Sequence, residues 1–139
     1  LAALNRYRNA QDNKMTVLLI EDDPASSELL QRMLTPYGCT VLSALDGRSA
    51  LDILSKQRPD LILLDLLLPD IDGFSIAEAL HGEEMWKDIP ILVVTGKELS
   101  QDDQDRLKDC VEMVLHKGRF GKDELIRHLR SLKQLSQRA

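Results

Sequence analysis

Aromatic side chains are scarce in this chain: two Phe, two Tyr and one Trp make up 4% of it, while 43% of its residues are hydrophobic. A core must therefore be filled mainly by Leu, Ile, Val and Ala, as where helices cover both faces of a parallel sheet. Cysteine is rarer still. Cys39 and Cys110 have neither CxxC nor Cys/His metal spacing, and a chain of 139 residues needs no disulfide staple, so both read as reduced, structural thiols. No apolar run approaches the roughly 20 residues that cross a bilayer, and no signal-peptide core is present at the N-terminus. The expected compartment is the cytoplasm. Nor is there a block of positive charge; a formal net charge of −5 argues against nucleic-acid binding by this segment.

What is present is one domain's worth of alternating pattern. Residues 1–14 are polar apart from Leu1, Leu4 and Tyr7 at helical spacing. They read as the end of an upstream linker helix or as a non-native leader, on a chain taken from a longer protein. From Met15 onward, short apolar runs alternate with amphipathic stretches, as when parallel strands are joined by crossover helices. Five strands are expected at Thr16–Ile20, Thr40–Ala44, Leu61–Leu64, Ile91–Val94 and Val111–Leu115. Residues 15–135 form a single (βα)5 unit, followed by a short polar tail, 136–139.

The helices carry their own punctuation. Asp23 and Pro24 suit the N-cap and first position of helix one, with Leu29, Leu30, Met33 and Leu34 on one face and Pro36 and Gly38 stopping it. Helix two starts near Asp46 and Gly47, turns Ala50, Leu51, Ile53 and Leu54 inward, and ends before Pro59. Helix three spans about Phe74 to Leu80. The last presents Leu125, Ile126, Leu129, Leu132 and Leu135 on one side. Between Leu99 and Leu107 helix four offers no apolar residue, so it is expected to be short or mobile.

In open parallel sheets ligands bind beyond the carboxyl ends of the strands, so the residues following each apolar run carry the chemistry. They are Glu21, Asp22 and Asp23 after strand one, Asp65 after strand three, Thr95 and Gly96 after strand four, and His116 and Lys117 after strand five. Carboxylates gathered at one rim repel and raise one another's pKa values unless a cation sits among them. With hard oxygen donors, that cation is Mg²⁺. An ionised Asp beside Mg²⁺ can act as a nucleophile toward phosphorus, with a lysine and a hydroxyl holding the transferred oxygens. Taken singly, each residue has a plainer role: Asp65 a helix cap, Glu21 and Asp22 acids favoured by a helix dipole, Thr95 a strand end, Lys117 a solvated charge. Together on successive strand ends, they point to a site. His81, His116 and His128 are scattered and take no function, and Trp86 is expected in a partly exposed loop.

Val17–Pro24 (Val-Leu-Leu-Ile-Glu-Asp-Asp-Pro), Asp65–Gly73 (Asp-Leu-Leu-Leu-Pro-Asp-Ile-Asp-Gly), Val93–Gly96 (Val-Val-Thr-Gly) and the isolated Lys117 resemble the response-regulator receiver domains of two-component signalling. The likeness spans essentially the whole chain after Lys14. It implies a flavodoxin-like doubly wound fold with a five-stranded parallel sheet in the order 2-1-3-4-5. It also implies that Asp65 is the phosphoacceptor. Asp22 would hold Mg²⁺ directly and Glu21 partly through water, with Asp65 and the backbone carbonyl of Leu67 completing the protein ligands. Thr95 and Lys117 would bind phosphoryl oxygens, and Pro69 and Gly73 would shape the loop. Asp23, Asp70 and Asp72 would cap helices or form turns. The implied donor is a histidine kinase or histidine phosphotransfer domain, and the implied output is a shift of the face made by helix four, strand five and helix five, through which the chain is a monomer or weak dimer.

Three positions depart from the family's pattern. Gly118 stands where proline usually follows the lysine, so the cis peptide common there is not assured. Val114 replaces the frequent Tyr or Phe that couples to the Thr hydroxyl. Leu67 is apolar where the side chain often influences access of water to the phosphoryl group. With the linker-like N-terminus, Gly118 points to a receiver attached to a hybrid sensor kinase or another multidomain protein with an output domain elsewhere. Two other function classes compete. An aspartate-nucleophile phosphatase of the haloacid-dehalogenase kind would want a second Asp at position 67. A receiver-like interaction module that is never phosphorylated would not need Glu21, Asp22, Asp65, Thr95 and Lys117 together.

Overall fold

Runs of Val, Ile and Leu too short for helices pair into one parallel sheet in a computed structural model of the chain, which describes residues 15–138. Its strands are β1 (Thr16–Ile20), β2 (Thr40–Ala44), β3 (Leu61–Leu64), β4 (Ile91–Thr95) and β5 (Met113–His116), in the order β2-β1-β3-β4-β5. The connecting helices are α1 (Pro24–Leu34), α2 (Gly47–Lys56), α3 (Gly73–Gly82), α4 (Gln101–Leu107) and α5 (Lys122–Arg138). This is the flavodoxin-like arrangement. The segment 1–14 and Ala139 lie outside the described residues.

Strand alternation divides the core in two. On one face Leu18, Ile20, Ile62, Leu64, Ile91 and Val93 pack under α2, α3 and α4. On the other, Val17, Leu19, Leu61, Leu63, Leu92 and Val94 pack under α1 and α5. The central strands are almost wholly buried, and each Leu or Ile so placed contributes about 1.5–3 kcal/mol. By that measure α4 is the weakest attachment, because Leu107 is its one buried residue.

Capping agrees with the sequence. Asp23 accepts from Ser26 N–H at 3.1 Å, Asp46 from Ser49 N–H at 2.7 Å and Asp72 from Ser75 N–H at 2.8 Å. Asp70 acts at a distance: its carboxylate accepts from Gly47 N–H at 2.8 Å and Arg48 N–H at 3.0 Å, capping α2 from the β3–α3 loop. Trp86 follows α3, half-buried against the core.

Two expectations need correction. β5 begins at Met113, not Val111, because the Val111 amide is spent on Leu107 O at 3.0 Å, closing the turn after α4, and sheet pairing starts only with Glu112 N–H to Ile91 O at 2.9 Å. Pairing of Thr95 with His116 then carries β4 and β5 each one residue further than expected. Leu29 does not join the buried face of α1. Its neighbours Ser27, Leu30 and Leu34 form that stripe, and Leu29, turned away from it, is 55% exposed.

Candidate functional site at the carboxyl edge of the sheet

The same alternation explains which side chains meet. Glu21, Asp65 and Lys117 continue β1, β3 and β5, held in sheet register by Glu21 N–H to Ala44 O, Asp65 N–H to Ile20 O and Lys117 N–H to Thr95 O. Each falls one residue beyond a position of the α2–α4 face, so by strand parity all three turn to the α1–α5 side. Thr95, two residues beyond Val93 on β4, has the opposite parity and turns to the α2–α4 side.

Lys117 Nζ donates to Glu21 Oε1 at 2.5 Å and to Asp65 Oδ2 at 3.0 Å. Asp65 Oδ1 accepts from Leu67 N–H at 3.2 Å. Asp22 completes a carboxylate trio with Glu21 and Asp65, one oxygen of each lying within 4.8 Å of the others. Asp22 is exposed, whereas Glu21 and Asp65 are 1% and 5% exposed. Among the described residues, Glu21 Oε2 is the one buried side-chain oxygen without a hydrogen-bond partner. A buried carboxylate oxygen left bare costs free energy that a divalent cation would recover. The donor set, all oxygen and partly open to water, suits Mg²⁺.

The charges are set against one another. Burial, then the neighbouring Asp65 carboxyl, pushes Glu21 up to about 7, against the pull of Lys117. Burial also works to raise Asp65, but the adjacent Glu21 carboxyl, Lys117 and the Leu67 amide outweigh it and hold this carboxyl below the usual range. Lys117 is opposed by burial too, yet its bonds to Glu21 and Asp65 keep the ammonium above an ordinary lysine. Asp65 is thus the ionised carboxylate and Glu21 the one that holds a proton near neutrality.

The surrounding loops fix this arrangement. A Cβ at Gly73 would lie 2.5 Å from both Asp65 O and Leu66 Cα, so only glycine lets the start of α3 approach the backbone of the site. Gly118 has φ +81°, and Arg119 N–H closes onto His116 O at 3.1 Å, the signature of a type II turn. Proline, fixed near φ −65°, cannot occupy that position, and no cis peptide bond occurs among the described residues.

Glu21, Asp22, Asp65 and Lys117 are therefore brought together as the sequence implied. Thr95 is fully buried and has no side-chain hydrogen bond to this cluster; its Oγ1 accepts from Lys97 N–H at 3.1 Å. Leu67 points a 54% exposed side chain outward. Val114 is half-buried against the α2–α4 core. Lys97 went unnoticed in the sequence. Its ammonium pairs with Asp103 at 2.8 Å, and the signal was available in the Ser-x-x-Asp capping box of Ser100 and Asp103.

Comparison with known proteins agrees with the geometry. The family model of the response regulator receiver domain matches residues 17–130. Transcription factor SKN7 of Saccharomyces cerevisiae is 37% identical over 123 residues, covering 84% of this chain and 19% of that protein. The DNA-binding dual master transcriptional regulator RpaA of Synechocystis is 35% identical, covering 84% of this chain and 48% of that one. The chain thus spans less than half the length of either relative. Among solved structures, the signal receiver domain of a Syntrophus aciditrophicus signal transduction histidine kinase superposes with TM-score 0.81 at 28% identity, over 90% of this chain and 94% of the other. The receiver domain of a Pseudomonas aeruginosa sensor histidine kinase, solved with magnesium coordinated in its active-site cleft, gives 0.78 at 30% identity, over 87% and 98%. A match over this much of the sequence, on a sheet whose carboxyl edge gathers three carboxylates and a lysine, places the chain in the response regulator receiver domain family.

Proposed function

We propose that this receiver is a phosphoacceptor switch: Asp65 takes a phosphoryl group from a phosphohistidine of a histidine kinase or histidine phosphotransfer domain. The observation that carries this reading is the buried ion cluster of Asp65, Glu21 and Lys117 with one Glu21 oxygen left bare. An Asp oxygen attacks phosphorus in line as the P–N bond breaks, and the imidazole leaves with that electron pair and takes up a proton. Glu21, Asp22, Asp65 and the Leu67 carbonyl would hold Mg²⁺, which when bound supplies positive charge against the phosphoryl oxygens. Lys117, already 3.0 Å from Asp65 Oδ2, neutralises charge on the acyl phosphate, and the Thr95 hydroxyl keeps its proton free to donate to a phosphoryl oxygen. The low pKa of Asp65 supports its role, since the nucleophile must be ionised.

The domain reads as residues 15–135 of a longer cytoplasmic protein. No helix among the described residues is long and apolar enough to cross a membrane. Its output, by analogy with relatives that are transcriptional regulators, belongs to a neighbouring domain. A phosphatase reading has no support at position 67, where Leu67 offers no general acid. Incubation with Mg²⁺ and acetyl phosphate tests the proposal: intact mass should show one added phosphoryl group on wild type and none on Asp65→Ala. A wild-type chain that stays unmodified, with this donor and with a phosphorylated histidine phosphotransfer domain, would leave the interaction-module reading in its place.

A further inference from the structure

We propose that the switch reaches α4 through Lys97 and its ion pair with Asp103, in place of an aromatic residue on β5; the inference rests on the phosphoacceptor reading above. Thr95 and Val114 have the parity of the α2–α4 face, and Val114 is too small to track a moving hydroxyl. It lines a groove of about 660 Å³ between α4 and β5, with Leu99, Gln104, Leu107 and Met113 among its other walls. A different connection leaves Thr95. Its Oγ1 accepts from the backbone N–H of Lys97 at 3.1 Å, and Lys97 Nζ holds Asp103 Oδ2 at 2.8 Å. That same Oδ2 accepts from Ser100 N–H at 3.1 Å, while Ser100 Oγ accepts from Asp103 N–H at 3.1 Å. One carboxylate therefore joins the residue after the site to the cap of α4.

What surrounds this path makes it able to move. α4 is seven residues long with Leu107 alone buried, so shifting it disturbs little apolar contact. Its other tie is on α3, where Arg106 pairs with Glu78 and lies 4.9 Å from the Phe74 ring centroid. Lys97 Nζ lies over the same ring at 5.9 Å. Both cations are within reach of one aromatic ring, so Lys97 can leave Asp103 without leaving Phe74. When the Thr95 hydroxyl turns to a phosphoryl oxygen on Asp65, the Lys97 amide either follows it or loses its acceptor. In both cases the Lys97–Asp103 pair is displaced, and with it the first turn of α4, toward the open groove.

The test measures amide hydrogen exchange over residues 101–107, with and without excess acetyl phosphate and Mg²⁺, and phosphoryl uptake by intact mass on the same samples. Wild type should show a change in exchange of about fivefold or more on phosphorylation, the lower bound of ordinary coupling. Lys97→Met and Asp103→Asn should take up the phosphoryl group as wild type does, with the exchange response reduced below about twofold; Lys97→Arg should restore it. A Lys97→Met chain that responds like wild type overturns the relay, as does a phosphorylated wild type with unchanged α4. Loss of phosphoryl uptake in Lys97→Met would also overturn it, because Lys97 would then belong to the transfer chemistry. Absence of uptake in wild type is read from mass alone and removes the phosphoacceptor reading, and the relay with it.

Discussion

Mg²⁺ binding should become markedly weaker as pH falls from 8 to 6, and Glu21 sets the size of the effect. A carboxyl titrating at about 7 is roughly nine-tenths ionised at pH 8 and one-tenth at pH 6, and a proton on it competes with the metal, so the apparent affinity should drop about tenfold. Asp65, held low by its hydrogen bonds, stays ionised throughout this window and adds nothing to the slope. Isothermal titration at pH 6, 7 and 8, in buffers of unequal protonation enthalpy, reads both the affinity and the proton released, expected near one half per metal at pH 7. Glu21→Gln should bind Mg²⁺ more weakly but with a flat pH profile. Affinities that agree within twofold at pH 6 and 8, or binding without proton release, would refute the assignment. The sign for stability is the opposite one: lower pH weakens metal binding but favours the fold. A carboxyl raised from 4.5 to about 7 contributes stability fully present below 4.5 and lost as pH rises through 7, roughly 3 kcal/mol in all. Without metal, Glu21→Gln should therefore gain stability relative to wild type at pH 8 and lose that advantage at pH 5.

Lys117→Met leaves Glu21 and Asp65 facing each other without their shared cation. Urea unfolding at pH 8 should show a loss of about 1–3 kcal/mol, less than for a fully buried pair because Lys117 is 28% exposed. Gly118→Pro imposes a φ near −65° on a position at +81° and should cost at least about 1 kcal/mol, with slower phosphoryl uptake as Lys117 is displaced. A protein as stable as wild type would mean the turn is not what places the lysine. Gly73→Ala forces a methyl to within 2.5 Å of two backbone atoms, and its unfolding midpoint should fall by the equivalent of about 1–3 kcal/mol or more; an unchanged midpoint would show that α3 moves away freely.

Strand ends were legible in the sequence because burial on both faces makes a strand read as unbroken Val, Ile and Leu, and the first polar residue after it marks the rim. Asp65 stands out for that reason alone, and Lys117 follows the first polar residue after β5, His116. Contacts set by distant elements were not legible. Asp70 caps a helix 23 residues upstream, and nothing local to it says so. Leu29 fits the apolar spacing of α1 as well as Met33 does; which edge of a wide stripe faces solvent depends on where α5 sits. Val111 looks like strand sequence, but its amide is taken by the turn from α4. The positive φ of Gly118 could be suspected from the missing proline, though not the turn type. Strand parity, which separates Thr95 from the carboxylates, follows from residue counting once the strand limits are known, and those limits were short by one at Thr95 and His116.

A helix rooted in the protein by a single leucine has most of its positions open to replacement without leaving a cavity beneath. In α4, the six residues from Gln101 to Arg106 precede that leucine, and none of them fills the interior. Substitutions along this strip of surface therefore leave the interior, and the acidic edge of the sheet built on it, undisturbed.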